Sequence, residues 1–212
     1  MDAHHILADQ RIVPVVVIDS ADNAAALATT LLEAGLSAIE VTLRTPAAID
    51  AIARIVKEVP QFLVGAGSVN TATQLQQVAD VGARFAVSPG ASNALLDAAE
   101  QIKIPLVPGA ATPSEIMHLQ AAGYTLQKLF PAELNGGTAW LRAIAGPLPD
   151  ARFFPTGGVS PKNATDYLGQ PNVACIGGTW VAPREAITAG DFESIGTLAS
   201  AALDLIRATQ RS

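Results

Sequence analysis

The chain has 212 residues, half of them hydrophobic and only 15% charged, enough for one sizeable buried core with little polar sequence to spare. Its formal charge of −6 argues against a nucleic-acid partner, which clustered cations would have to hold. The lone cysteine, Cys175, excludes an intrachain disulfide and makes a reducing compartment, the cytoplasm, the default.

At the N-terminus, Asp2, His4, His5 and Asp9 interrupt any apolar stretch, so no secretory leader is read there. Residues Ala3–Gln10 are predicted to form an extra helix, within 1–11, that covers one mouth of the fold. The apolar run Ile12–Ile18 is far too short to span a bilayer, and no membrane partner is expected. From Val13 onward, β-rich runs alternate with helix-like segments. The first strand is read at Val13–Ile18 with a helix over Asp22–Glu33, the second at Ala38–Leu43 with Pro46–Val59, and the third at Phe62–Gly65 with Thr71–Val81. The fourth is Phe85–Ser88 with Asn93–Gln101, the fifth Pro105–Pro108 with Pro113–Ala122, and the sixth Thr125–Phe130 with Gly137–Ile144. The seventh is Arg152–Thr156 with Pro161–Leu168, and the eighth Val173–Gly177 with Phe192–Arg207.

Apolar runs without strict alternation suit parallel strands buried on both faces. Thr45-Pro46, Thr112-Pro113 and Ser160-Pro161 each set a capping hydroxyl before a proline at the first helical position. Gly35, Gly82 and Gly123 are placed to close helices with a left-handed turn. Eight such units, with no gap for a second domain, predict a single α/β domain over 1–212, a (β/α)8 TIM barrel. A doubly wound open sheet is the alternative.

In such a barrel, active sites gather at the C-terminal ends of the strands. Along the second strand, a period of two puts Glu40, Thr42 and Arg44 on one side and Ile39, Val41 and Leu43 on the other. The apolar set must face the helices, so the polar set points inward, where it needs partners or substrate. A structural Glu–Arg ion pair is the plainer explanation. On the sixth strand Lys128 and Phe130 share a side against Gln127 and Leu129, and parity does not say which side is inward. Alternate strands share barrel layers, so the second and sixth can bring Glu40 and Lys128 to similar height. Partial desolvation and a nearby guanidinium would both disfavour the charged amine, freeing it to attack a ketone carbonyl. A lysine reaching solvent from the rim fits the spacing equally well.

Pro155-Thr156-Gly157-Gly158-Val159 and Ile176-Gly177-Gly178-Thr179 stand at two adjacent strand ends. Barrels often bind phosphate there, with glycines admitting close backbone approach to the anion. Gly65-Ala66-Gly67-Ser68 suggests close approach to a small ligand or a turn, and at Gly90 the turn is preferred. His4, His5 and His118 sit off the strand ends with no metal-ligand spacing, His118 on a helix surface, and Cys175 reads as a small core residue. No metal and no cofactor are expected.

Glu40-Val-Thr-Leu-Arg44-Thr, Gly65-Ala-Gly-Ser68-Val, Ser88-Pro-Gly90, Lys128-Leu-Phe-Pro-Ala-Glu133, Asn135-Gly-Gly137, Pro155-Thr-Gly-Gly-Val159 and Ile176-Gly-Gly-Thr-Trp180 occur in this order along nearly the whole chain. In these motifs the chain resembles the 2-keto-3-deoxy-6-phosphogluconate (KDPG) aldolases, also called 4-hydroxy-2-oxoglutarate (KHG) aldolases. The resemblance implies a metal-free class I aldolase, a lyase, with Lys128 forming the Schiff base and Glu40 moving protons. It implies that Arg44 holds the pyruvate carboxylate with Ser68 and Pro89 nearby, and that Phe130 packs on the keto acid. Gly157, Gly158 and Thr179 would bind the phosphate of the aldehyde half, and Thr156 would touch the hydroxyl-bearing carbons. Its partners would be a small 2-keto acid and a phosphorylated aldehyde, and its assembly a homotrimer. A galactonate-series aldolase, a phosphosugar isomerase or synthase, and a silent metabolite-binding barrel remain as alternatives. The family usually has threonine at Ser68, serine at Thr179 and phenylalanine at Leu129. The first two changes keep a hydroxyl.

Overall fold

In the computed structural model, residues 3–209 are described, so Met1, Asp2 and residues 210–212 of the sequence reading lie outside it. Among the described residues the strands are β1 (Ile12–Val16), β2 (Ala38–Thr42), β3 (Leu63–Gly67), β4 (Phe85–Val87), β5 (Leu106–Val107), β6 (Leu126–Leu129), β7 (Arg152–Pro155) and β8 (Ile176–Gly178). The helices are α1 (Ala3–Leu7), α2 (Ala24–Glu33), α3 (Ala48–Glu58), α4 (Ala72–Asp80), α5 (Asn93–Ile102), α6 (Pro113–Ala121), α7 (Gly137–Ala145), α8 (Ala164–Leu168), α9 (Arg184–Ala189) and α10 (Phe192–Thr209).

Six strands pair in parallel in the order β5-β4-β3-β2-β1-β8, and β6 pairs with β7. Consecutive strands are neighbours, so the sheet winds one way and curls; a doubly wound sheet would reverse its order at β1. Pro105 and Pro108 lack an N–H and flank β5, which shortens its ladder to two residues. Isolated bridges at Gly109–Lys128 and Phe153–Val173 join the β6-β7 pair to its neighbours. They are held by Lys128 N–H to Pro108 O (2.8 Å) and Phe153 N–H to Asn172 O (2.8 Å).

Period-two alternation divides the core. Ile12, Ile39, Val41 and Phe153 face the helices, among Leu27, Leu31, Ile52 and Ile55. Val13, Phe85, Leu126, Phe154 and Cys175 form a second cluster on the opposite, concave side, together with Ala3 and Leu7 of α1. Each fully buried Leu or Ile contributes about 1.5–3 kcal/mol. That exceeds the effect of a single cap, so packing dominates and caps set where helices begin.

Two of the three predicted proline caps are corrected. The Thr45 hydroxyl donates to Ile18 O instead, and α3 starts at Ala48 behind Ala47, with no side-chain cap. Ser160 donates to Asn163 Oδ1 in a turn, and α8 starts only at Ala164. Thr112 caps α6 as expected, in a reciprocal box with Glu115, while Thr71 and Ser92 cap α4 and α5. Glu115 is held below the usual carboxylate range, first by the Ala111 N–H and against partial burial. Replacing Thr112 with alanine is expected to cost about 1 kcal/mol, read from the denaturation midpoint. The left-handed φ of Gly35, Gly82 and Gly123 (+98°, +87°, +87°) ends three helices. The helix α9 has no counterpart among the helices expected from the sequence.

Candidate active site

β2 carries the first half of the site. Ile39 and Val41 turn to the helices, and Glu40, on the other side, is fully buried (0% exposed). Gly67 on β3 makes this possible. A Cβ there would lie 2.0 Å from Glu40 Oε1 and 2.7 Å from its Cδ, so only glycine leaves room for the carboxylate. Gly65 similarly admits the Phe85 ring, at 2.3 Å. Both glycines serve internal close packing, which is neither the ligand approach nor the turn expected from the sequence.

β6 supplies the second half, and here the structure decides the parity. Gln127 turns outward and donates to Tyr124 O (3.0 Å) and Ile116 O (3.3 Å). Lys128 therefore points inward and is 5% exposed. Its Nζ lies 3.1 Å from Glu40 Oε1, a contact between residues 88 apart. The Phe130 ring centroid stands 5.4 Å from the same nitrogen, within cation–π range. The rim alternative for Lys128 falls, and so does a Glu40–Arg44 ion pair, because Glu40 meets Lys128 instead.

Among the described residues, Glu40 Oε2 and Thr156 Oγ1 are buried without a hydrogen-bond partner. Each unmade bond of this kind costs about 1–3 kcal/mol. At Glu40 that cost falls on the oxygen beside the one that meets the buried Lys128 amine, an arrangement that stability alone does not favour. Thr156, just past β7, is admitted by Gly177, where a Cβ would come within 2.2 Å of its Cγ2.

Arg44 requires a correction. β2 ends at Thr42, and Arg44 sits beyond it in a turn, exposed rather than inside. Its N–H donates to Thr42 O (2.8 Å), and its Nε donates to Ser68 Oγ (3.3 Å). Ser68 adopts φ +57°, left-handed for a residue with a side chain. Thr42 is also not free, since its hydroxyl donates to Val16 O (2.8 Å).

Pro89 is exposed at the end of β4, in a turn where the Ser88 hydroxyl donates to Gly90 O (2.6 Å). Gly90 has open space around it, in line with a turn. Gly109, which sequence reading passed over, is the restricted position: a Cβ there would lie 2.2 Å from Pro89 O. Its only sequence signal was a glycine just after a strand. Gly157 and Gly158 follow β7 with φ +88° and +85°, and a Cβ at Gly157 would lie 3.2 Å from Phe130 Cδ2. Thr179 is exposed just past β8. The contacts thus join Lys128, Glu40, Gly67, Phe130 and Gly157 into one group and Arg44 with Ser68 into another. Among the described residues, Pro89 and Thr179 are strand-end residues without a bond to either group.

Other features lie apart. A hollow of about 730 Å³ between α5 and α6, lined in part by Glu100, Lys103, His118 and Tyr124, includes neither Lys128 nor Glu40. His118 is exposed on α6. Burial pushes the Cys175 thiol above its usual range, as befits a core residue. Among the described residues no group of three or more His, Cys, Asp or Glu could hold a metal ion, and no helix is long and apolar enough to cross a membrane.

Residues 3–198 match the family model described as KDPG and KHG aldolase. The KHG/KDPG aldolase of Escherichia coli K12 is 48% identical over 202 residues, covering 95% of each chain. The KDPG aldolase of Legionella pneumophila, solved with pyruvate captured at low pH as a covalent carbinolamine intermediate, superposes with a TM-score of 0.92. It is 43% identical, over 95% of this chain and 98% of its own. The KDPG aldolase of Zymomonas mobilis ZM4, solved with 3-phosphoglycerate, gives a TM-score of 0.88 at 40% identity, over 95% of this chain and 94% of its own.

Proposed function

Because the chain belongs to the KDPG and KHG aldolase family and is therefore an aldolase, a lyase, we propose that it works through a Schiff base on Lys128. The substrate is KDPG, cleaved to pyruvate and glyceraldehyde 3-phosphate, and the same site handles KHG, giving pyruvate and glyoxylate. The observation that carries this reading is the buried amine 3.1 Å from a buried carboxylate whose second oxygen has no partner among the described residues.

Each residue then has a role. Glu40 takes a proton from the Lys128 ammonium, and the neutral amine attacks C2 of the keto acid. The proton returns to the carbinolamine oxygen, which departs as water and leaves an iminium. The iminium accepts the electron pair of the C3–C4 bond as it breaks, while the C4 hydroxyl gives up its proton and becomes the aldehyde. The resulting neutral enamine is protonated at C3 and hydrolysed to pyruvate and free lysine. Glu40, directly or through a water, serves these proton transfers.

Arg44 holds the carboxylate of the keto acid, with Ser68 bonded to its guanidinium and Pro89 at the same end. Phe130 packs against the keto acid beside Lys128. Thr156, whose hydroxyl has no partner among the described residues, meets the hydroxyl-bearing carbons, and Gly157, Gly158 and Thr179 receive the phosphate. Binding that distant phosphate helps orient the bond to be broken.

The same reading has the two bridged sheets closing as a (β/α)8 barrel in a single domain, with α1 covering its N-terminal mouth, as the bridges and the burial of Ala3 and Leu7 support. It has three copies of the chain assembling in the cytoplasm. Borohydride reduction in the presence of pyruvate tests the chemistry. Peptide mapping should find the adduct on Lys128 and not on Lys57, Lys103 or Lys162. An adduct on any of those three, or none at all, would overturn it.

A further inference from the structure

Among the motif residues without a task in the reaction described above are Glu133, at the end of the Lys128 motif, and Gly137, at the end of the Asn135-Gly-Gly segment. They meet in space. The Tyr167 hydroxyl on α8 donates to Glu133 Oε1 across 34 residues. Gly137, with φ +57°, leaves room for that bond, since a Cβ there would lie 3.0 Å from Glu133 Oε1 and 3.3 Å from the Tyr167 oxygen.

The far side of Glu133 is occupied by the Gly157–Gly158 turn. Glu133 N–H donates to Gly157 O (3.1 Å), and Ala132 N–H donates to Thr156 O (2.8 Å). Gly158 sits directly on the glutamate side chain, whose Cγ and Cβ lie 2.4 and 2.6 Å from where a Cβ would be. Asn163 steadies the turn from the other side, with Nδ2 donating to Gly158 O (3.1 Å) while its Oδ1 accepts from Ser160 N–H (2.7 Å). The turn is thus clasped between a glutamate anchored by a buried tyrosine and an asparagine anchored by its own loop. Burial, and then the bond to Glu133, pushes the Tyr167 phenol above the usual tyrosine range, so it remains a donor throughout neutral pH.

A carboxylate beside an anion-binding turn repels the anion, so charge is not what Glu133 contributes. We infer that Glu133, anchored by the Tyr167 hydroxyl, is a positioning residue that holds the Gly157–Gly158 turn in the shape that receives the phosphate of the substrate. This rests on the phosphate role given to that turn under Proposed function. An anchored turn presents its amides without having to be ordered at binding, and losing the anchor should weaken the phosphate end alone.

Glu133→Ala and Tyr167→Phe are expected to raise KM for KDPG about tenfold, with kcat within twofold, and to leave KM for the unphosphorylated KHG unchanged. Glu133→Gln keeps an acceptor for the tyrosine and should restore most of what Glu133→Ala loses. Titration with 3-phosphoglycerate, which requires no turnover, should show the same order of affinities. Equal losses for KDPG and KHG, a fall in kcat alone, unchanged 3-phosphoglycerate affinity in both variants, or a Glu133→Gln as weak as Glu133→Ala would each overturn the inference. Failure of the Schiff-base reading would show elsewhere, as absent pyruvate trapping on Lys128 in the parent protein, and the phosphoglycerate titration would still decide the role of the turn.

Discussion

Lys128→Ala should leave no pyruvate adduct after borohydride treatment and essentially no aldol cleavage, because no other amine is in contact with Glu40 among the described residues. The same change should also weaken the fold. Glu40 is fully buried, and Lys128 is the partner of its Oε1. Removing one member of a buried ion pair leaves the other charge uncompensated, which costs about 3–5 kcal/mol, whereas removing both is often close to neutral. The double variant Lys128→Met, Glu40→Gln should therefore unfold at a higher denaturant concentration than Lys128→Ala, though it is equally inactive. If Lys128→Ala matched the parent in both unfolding midpoint and turnover, the buried pair would be neither catalytic nor structural.

The second large effect concerns the carboxylate. Glu40→Gln keeps the shape and a hydrogen-bonding oxygen but cannot take up a proton. It should bind substrate with little change and turn it over about 10²–10⁴-fold more slowly. Gly67→Ala should reproduce that loss without replacing any ionisable group. Its methyl would fall 2.0 Å from Glu40 Oε1 and 2.7 Å from Cδ, and the carboxylate cannot stay where it meets Lys128. Steady-state kinetics on KDPG would compare the two variants directly. A Gly67→Ala protein with parental kcat would mean that the position of Glu40 is irrelevant to the chemistry, and Glu40→Gln at full rate would remove it from the mechanism.

Close packing thus has a functional consequence at several positions. Gly67, Gly177 and Gly109 are glycines because a carboxylate, a threonine methyl and a backbone carbonyl take up the space where a Cβ would stand. None of the three has the left-handed φ that marks Gly157 and Gly158. Nothing local in the sequence separates such positions from glycines in ordinary turns, because the atoms that exclude a side chain arrive from other segments of the chain.

Local rules were enough for the alternation of strands and helices, the parallel sheet and the inward side of β2. Each of these follows from periodicity or from a backbone preference acting within a few residues. Ile39 and Val41 had to meet apolar helices, which left Glu40 no other direction. On β6 the same rule was silent, since Gln127 and Lys128 are both polar. The tie was broken by carbonyls of Ile116 and Tyr124, which accept from Gln127, and by a carboxylate 88 residues away that pairs with Lys128. Arg44 misled for a related reason: parity runs only as far as the ladder does, and where β2 stops depends on its partner strands. Thr45 and Ser160 had capping chemistry, but a neighbouring carbonyl and an asparagine claimed their hydroxyls. The sequence alone determined which backbone shapes and faces were affordable, while the partners of each polar group, a matter of distant chain segments converging, were decided by the tertiary structure.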